Sequence, residues 1–218
     1  MPKDAVKRRA KYVLIVAVLL NLLYPLTGSG SIASGIGFAV LYASLFIVGI
    51  LITSDSQAQI TWSISIAVLW LVMAIAFTLD PTSYWKLQVS ALLLLVFQAT
   101  LIVVLLRYIF MAEQVNADVI YAACAVYFLL AYFFVPMYSM LEAGAPGSFI
   151  DQTLKAPVHW QQFVYFSLVT LSTAGYGDIL PVSMWARMVA GLEATIGVLY
   201  IAILVARLVS LYQVRRPL

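Results

Sequence analysis

Charge, cysteine and histidine are all scarce in this sequence. Charged residues make up 10% of its 218 positions, with one cysteine and one histidine. Soluble globular domains carry charge on roughly a quarter of their residues, so this chain cannot assemble a solvated surface of the usual kind. A single cysteine excludes an intrachain disulfide. Cys124, inside an apolar run, reads as a small buried hydrophobe and says nothing about compartment. Paired carboxylates, a metal-ligand cluster, a phosphate-cradling loop and a nucleophile triad are missing too, which argues against an enzyme. The formal charge of +3 comes mainly from the two ends, without the basic, aromatic-interleaved face that nucleic acid requires.

What the chain has instead is hydrocarbon: 64% hydrophobic residues and a mean hydropathy of +1.03. It reads as an all-α integral membrane protein. Apolar runs at 12–27, 32–52, 60–79, 85–109, 118–140 and 184–211 are each near or above the ~20 residues a helical span needs, giving six transmembrane helices. A seventh, 159–172, is too short to cross and reads as a re-entrant helix. Polar breaks separate them: GSGS at 28–31, TSDSQ at 53–57, DPTS at 80–83, EQVNAD at 113–118 and EAGAPGS at 142–148.

Orientation follows from Lys and Arg. Lys3, Lys7, Arg8, Arg9 and Lys11 precede the first span and Arg215 and Arg216 follow the last, placing both ends in the cytoplasm. Arg107 then lies inside, and Lys86, Lys155 and Arg187 outside. The basic start and the triplet Ser31-Ile32-Ala33 also resemble a cleavable leader covering residues 1–33. The run passes straight into another apolar span, which favours a retained helical hairpin. The membrane implied is the plasma (cell inner) membrane.

One stretch breaks the apolar pattern with purpose: TLSTAGYGD, Thr170 to Asp178. Non-helical backbone at membrane depth is tolerated only where it is buried in protein or lines a water-filled path. Carbonyls pointing one way need alternating backbone conformations, some with positive φ, which Gly175 and Gly177 supply at little steric cost. The carbonyls of Thr173, Ala174, Gly175 and Tyr176, with the Thr173 hydroxyl beneath, would then form rungs of hard oxygen able to replace the water shell of an alkali cation. One chain supplies one strip, so enclosing an ion takes several copies.

At these residues the sequence resembles the potassium-channel pore family, whose filter reads T-[VI]-G-Y-G-D. The family order of outer helix, pore helix, filter and inner helix corresponds to 118–140, 159–172, 173–178 and 184–211 within a 118–212 pore region. Pro181, Trp185 and Arg187 fall where the family often has Pro, Trp and Arg, and Gly197 falls at the inner-helix glycine where members can bend. The resemblance implies a homotetramer in a lipid bilayer that passes K+ as the permeant ion, with no cofactor. It implies K+ sites at Thr173, Ala174, Gly175 and Tyr176, with Gly177 completing the filter. Val198, Ile201, Val205 and Val209 take the positions lining an apolar inner pore.

Departures qualify that likeness. Ala174 replaces the usual Val or Ile, keeping the carbonyl while removing methyl groups behind it, which softens the filter and opens the alternative of a weakly selective monovalent cation channel. Val169 stands where some members carry Glu, so Asp178 needs another donor, and the resemblance points to Tyr165. Glu193 is an acid within a span, read as a brace to the pore helix through Ser167 or Thr170. His159 reads as an exposed loop histidine, and Trp62, Trp85, Trp160 and Trp185 as interface anchors.

The fourth span holds only Lys86 and Arg107, one at each end, where a voltage sensor repeats Arg or Lys along the helix. The sequence therefore divides into a basic cytoplasmic start at 1–11, a four-helix membrane region of unassigned role at 12–110, the pore region and a short basic tail at 213–218. A non-conducting membrane scaffold or modulatory subunit is the alternative outside transport.

Overall fold

In a computed structural model, residues 9–27, 32–53, 57–80, 83–153 and 158–213 are described. Lys3, Lys7, Arg8, the GSGS break, Lys155, Arg215 and Arg216 lie outside them. The elements run α1 (Ala10–Leu23), a 3-10 turn (Tyr24–Thr27), α2 (Ile32–Thr53), α3 (Gln57–Leu79), α4 (Tyr84–Phe110), α5 (Ala117–Gly144), β1 (Phe149–Asp151), α6 (Gln162–Leu171), β2 (Ile179–Pro181) and α7 (Met184–Gln213). Apart from the two short strands, the regular structure among these residues is helical. Among the described residues, four stretches are long and apolar enough to cross a membrane: Ile60–Leu79, Tyr84–Phe110, Ala117–Gly144 and Met184–Leu211.

The first apolar run does not stay α-helical. Pro25 has no N–H to give the carbonyl four residues back and disfavours helix at the residue before it. The α-helix accordingly stops at Leu23 and the chain tightens into the 3-10 turn Tyr24–Thr27. α1, at 14 residues, spans about 21 Å. The turn adds about 8 Å.

α5 is the element on which the rest is assembled. Asn116 caps its start, its side chain accepting from the Val119 N–H at 2.9 Å. α1 lays Ala10, Val13, Ala17 and Leu20, a stripe at helical spacing, into the shared core. The Tyr132 hydroxyl of α5 donates to the Ala17 carbonyl at 2.6 Å and is joined by the Asn21 amide. α2, α3 and α4 meet through Phe46, Trp70 and Phe97, with Phe46 and Phe97 stacked at 3.9 Å between centroids. The buried residues form one continuous cluster from Ala10 to Ala190, so the first four helices share a core with those that follow.

Cys124 corrects the sequence expectation: it is exposed on α5, beside exposed Ile120 and Tyr121. Tyr200 of α7 comes close, its hydroxyl donating to the neighbouring Ala123 carbonyl at 2.7 Å, but it leaves Cys124 exposed, and in a bilayer an apolar side chain gains little by turning inward.

Candidate functional site

The chain between α5 and α7 is short but closely tied. Phe149 of β1 and Phe163 and Phe166 of α6 surround Tyr138 of α5, with ring centroids 5.3, 5.9 and 5.1 Å from it. Each such pair contributes ~0.5–1.5 kcal/mol beyond area burial. β1 pairs antiparallel with β2 in the register Phe149↔Pro181, Ile150↔Leu180 and Asp151↔Ile179. Beyond the strands, the Gln152 N–H donates to the Asp178 carbonyl at 2.8 Å and Val182 N–H to the Ser148 carbonyl at 2.8 Å. This ribbon was not legible in the sequence, where 142–148 reads only as a polar connection. It clamps the chain as it leaves the motif.

α6 begins at Gln162, three residues later than the apolar run suggests, because His159 to Gln161 form a turn closed by Gln162 N–H to the His159 carbonyl at 2.9 Å. At its far end the helix hands over directly to the motif. The amides of Ser172, Thr173 and Ala174 donate to the carbonyls of Leu168, Thr170 and Val169 at 3.1, 2.9 and 2.9 Å, and Gly175 N–H reaches Val169 at 3.4 Å. φ then turns positive at every second residue: Thr173 at 57°, Gly175 at 56° and Gly177 at 79°. For the two glycines this costs little. For Thr173, β-branched, it is a true outlier, of order 1–3 kcal/mol, held by its surroundings.

The consequence is a one-sided strip. The amides of Thr173, Ala174 and Gly175 turn back onto α6, while among the described residues no hydrogen bond ends on the carbonyls of Thr173, Ala174, Gly175 or Tyr176. Residues 172–177 are all exposed, Tyr176 to 73%. Backbone carbonyls are strong acceptors, so four consecutive exposed ones that no described residue engages are free to bind water or a cation.

Side chains hold the strip from behind. The Tyr165 hydroxyl donates to Oδ2 of Asp178 at 2.7 Å, and the rings of Tyr165 and Tyr176 stack at 6.4 Å and 10°. Glu193 of α7 bonds Ser167 of α6 and, unforeseen in the sequence, Tyr138 of α5; Thr170 is not among its bonded partners. Gly197 of α7 sits against the Leu171 carbonyl at the end of α6, so closely that a Cβ there would overlap that oxygen and lie 2.9 Å from its carbon. α7 continues through Gly197 without interruption. Val198, Ile201, Val205 and Val209 form an exposed apolar stripe along α7, on the side away from Ile196, Leu204 and Leu208, which pack on the core.

A further residue escaped the sequence reading. Arg207, toward the end of α7, donates from one guanidinium nitrogen to the carbonyls of Phe110 and Ala112, both at 2.8 Å. These are the open carbonyls at the end of α4, where a cation is also favoured by the helix dipole. At a span end Arg207 resembles any interfacial arginine, and only the unpaired α4 terminus hints at its use. His159 stays in its loop with its N–H bonded to Gln162 at 2.7 Å, while Trp62, Trp85 and Trp185 are exposed.

Residues 117–214 match the family described as Ion channel. They form an ion-channel domain. The chain is also 31% identical over 152 residues to the voltage-gated potassium channel Kch of Escherichia coli (strain K12), covering 67% of this chain and 33% of that one. That share exceeds what the residues from 117 onward can supply, so the likeness reaches into the preceding helices. Over 46 residues it is 46% identical to the potassium voltage-gated channel protein shk-1 of Caenorhabditis elegans, covering 21% of this chain and 9% of that one. The chain thus spans about a third of the first relative's length and under a tenth of the second's. No solved structure gives a significant match. The domain belongs to an ion-channel family related to potassium channels, not to an enzyme family.

Proposed function

We propose that the protein is a potassium-selective channel of the plasma membrane, assembled as a homotetramer around the strip Thr173–Gly177. The reading rests on one observation: four consecutive exposed carbonyls, from Thr173 to Tyr176, on a backbone whose φ alternates in sign. Four such strips about an axis would give cages of oxygen that substitute for the hydration shell of K+. Tyr176, stacked on Tyr165, and Asp178, held by the same tyrosine, would keep the cages from collapsing. The exposed stripe Val198–Ile201–Val205–Val209 would line the inner pore, and four copies of α6 would aim their carboxyl ends at a central cavity, where partial negative charge favours a cation. Gly197 would serve first as the contact that brings α7 against α6, and only secondarily as a hinge.

In this reading the chain crosses the bilayer six times: α1 with its 3-10 turn reaches about 29 Å, close to the ~30 Å hydrocarbon thickness. α2, at 22 residues, is also long enough. α6 re-enters from the outside, and both ends face the cytoplasm. Voltage gating is named for the two relatives, but α4 carries only Lys86 and Arg107 and lacks the charge for it.

Rubidium uptake into proteoliposomes under sodium competition tests the proposal. Uptake that persists in excess Na+ supports it; uptake that Na+ suppresses equally points to the weakly selective channel that Ala174 would favour. No uptake, from protein that purifies as a tetramer, would leave the non-conducting scaffold. Anomalous scattering from the bound cation should appear along Thr173–Tyr176.

A further inference from the structure

Glu193 lies at the junction of three helices and is fully buried, as are the two side chains it meets: Glu193, Ser167 and Tyr138 each have 0% exposure. Tyr138 of α5 reaches Oε2 of the carboxyl, and Ser167 of α6 reaches Oε1. The Ser167 hydroxyl also lies 2.6 Å from the carbonyl of Ala131 on α5.

Counting hydrogens fixes the direction of each bond. The Ala131 carbonyl can only accept, so the single hydroxyl hydrogen of Ser167 is committed to it. The bond between Ser167 and Oε1 then needs a hydrogen from Glu193. Tyr138, with one hydrogen and no other acceptor bonded to it among the described residues, donates to Oε2. The four groups line up as one chain, Tyr138 to Glu193 to Ser167 to the Ala131 carbonyl, with every hydrogen used once. Chains of this kind strengthen one another in low dielectric, and an unmatched member is correspondingly costly.

We infer that Glu193 is an un-ionised positioning residue, whose carboxyl hydrogen fastens the pore helix α6 between α5 and α7 and so holds the height of the strip that α6 carries. The strip begins two residues after α6 ends, and its first amides are bonded to the last turn of that helix. Any slippage of α6 would move the carbonyls of Thr173 and Ala174 directly. For its ion-selectivity readout the inference rests on the channel function proposed above.

The hydrogen count separates two amino acids of nearly equal shape. In Glu193→Gln the amide oxygen accepts from Tyr138 and the amide N–H donates to Ser167, reproducing the chain. In Glu193→Leu nothing replaces either bond. Full-length protein in liposomes is compared for rubidium-over-sodium discrimination, with an infrared spectrum taken on the same samples. E193Q should stay within about threefold of wild type, while E193L should lose at least about tenfold, the scale of one broken buried hydrogen bond. Wild type should show the infrared band of an un-ionised carboxyl that E193Q lacks. Should E193L fail to assemble, S167A and Y138F, each removing one link, should reduce discrimination in its place.

E193Q behaving like E193L, discrimination unchanged in E193L, S167A and Y138F alike, or a missing carboxyl band would each overturn the inference. If wild type passes no rubidium, the channel reading falls, and the infrared comparison still decides the state of Glu193.

Discussion

Replacing Gly197 by alanine places two readings of one residue in direct opposition. A glycine that serves as a flexible point in an apolar helix is a weak spot, and alanine should strengthen it by ~1 kcal/mol through helix propensity. The structure predicts the reverse. An added Cβ would overlap the Leu171 carbonyl oxygen and lie 2.9 Å from its carbon and 3.1 Å from Leu171 Cδ1. The leucine side chain could rotate away, but the carbonyl is backbone at the end of α6 and cannot. Forcing a methyl into a packed site costs ~1–3 kcal/mol. Set against the propensity gain, the net effect is destabilising by up to ~2 kcal/mol, with α7 pushed off α6 next to the strip. Gly191 supplies the control, since a Cβ there meets nothing within 4 Å among the described residues. Thermal denaturation of the purified assembly should show G197A melting below wild type and G191A at or above it. G197A melting as high as G191A would refute the close-contact argument and restore the hinge as the main role.

Other perturbations read separate parts of the molecule. Tyr176→Asp, which removes the ring stacked on Tyr165 and adds charge at the strip, should admit sodium in the rubidium-competition assay. Tyr165→Phe deletes the 2.7 Å bond to Asp178, worth ~1.5–3 kcal/mol for a charged acceptor, and should shorten the time that current persists under sustained K+ flow. Arg207→Gln withdraws the cation that caps Phe110 and Ala112 and should alter open probability in planar-bilayer recordings while leaving rubidium-over-sodium discrimination intact. The open probability of wild type should depend only weakly on voltage, because α4 carries charge at its ends alone. Asp80→Asn breaks an ion pair with Lys86 that is partly solvent-exposed and should shift stability by less than ~1 kcal/mol in a thermal melt.

The long helices were legible because nothing competes with a run of twenty apolar residues in deciding a local conformation. Positive φ at Gly175 and Gly177 was legible for a similar reason: glycine is the residue type that such backbone calls for. Thr173 gives no such notice. Its left-handed conformation at φ 57° is imposed by the amides that turn back onto α6, a constraint no residue type announces. The β1–β2 ribbon hid because three residues per strand are too few to display a period of two. Tyr138 hid because its acidic partner is 55 residues away, and one hydroxyl among many aromatics in α5 carries no mark. A buried acid in a span does demand a donor, and that demand narrows the search to hydroxyls at its own depth without naming the helix.

Two hydrogen-bonded ties, added to the core that they share with the later helices, link the first four helices to α5 and α7. α1 is tied to α5 through Tyr132 at Ala17 and Asn21. α4 is tied to α7 through Arg207 at Phe110 and Ala112. Tyr132 and Tyr138 lie six residues apart on α5, so a displacement of α1 reaches the helix that anchors Glu193 and thus α6. A displacement at the end of α4 reaches α7 ten residues beyond Gly197, within the stretch that contains Val205 and Val209. The two ties therefore reach different parts of the proposed pathway, that of Tyr132 leading toward the strip and that of Arg207 toward the inner end of α7. Loss of Arg207 and loss of the Tyr132 hydroxyl should accordingly alter different properties, and additive effects in the double variant are expected of sites that share no partner.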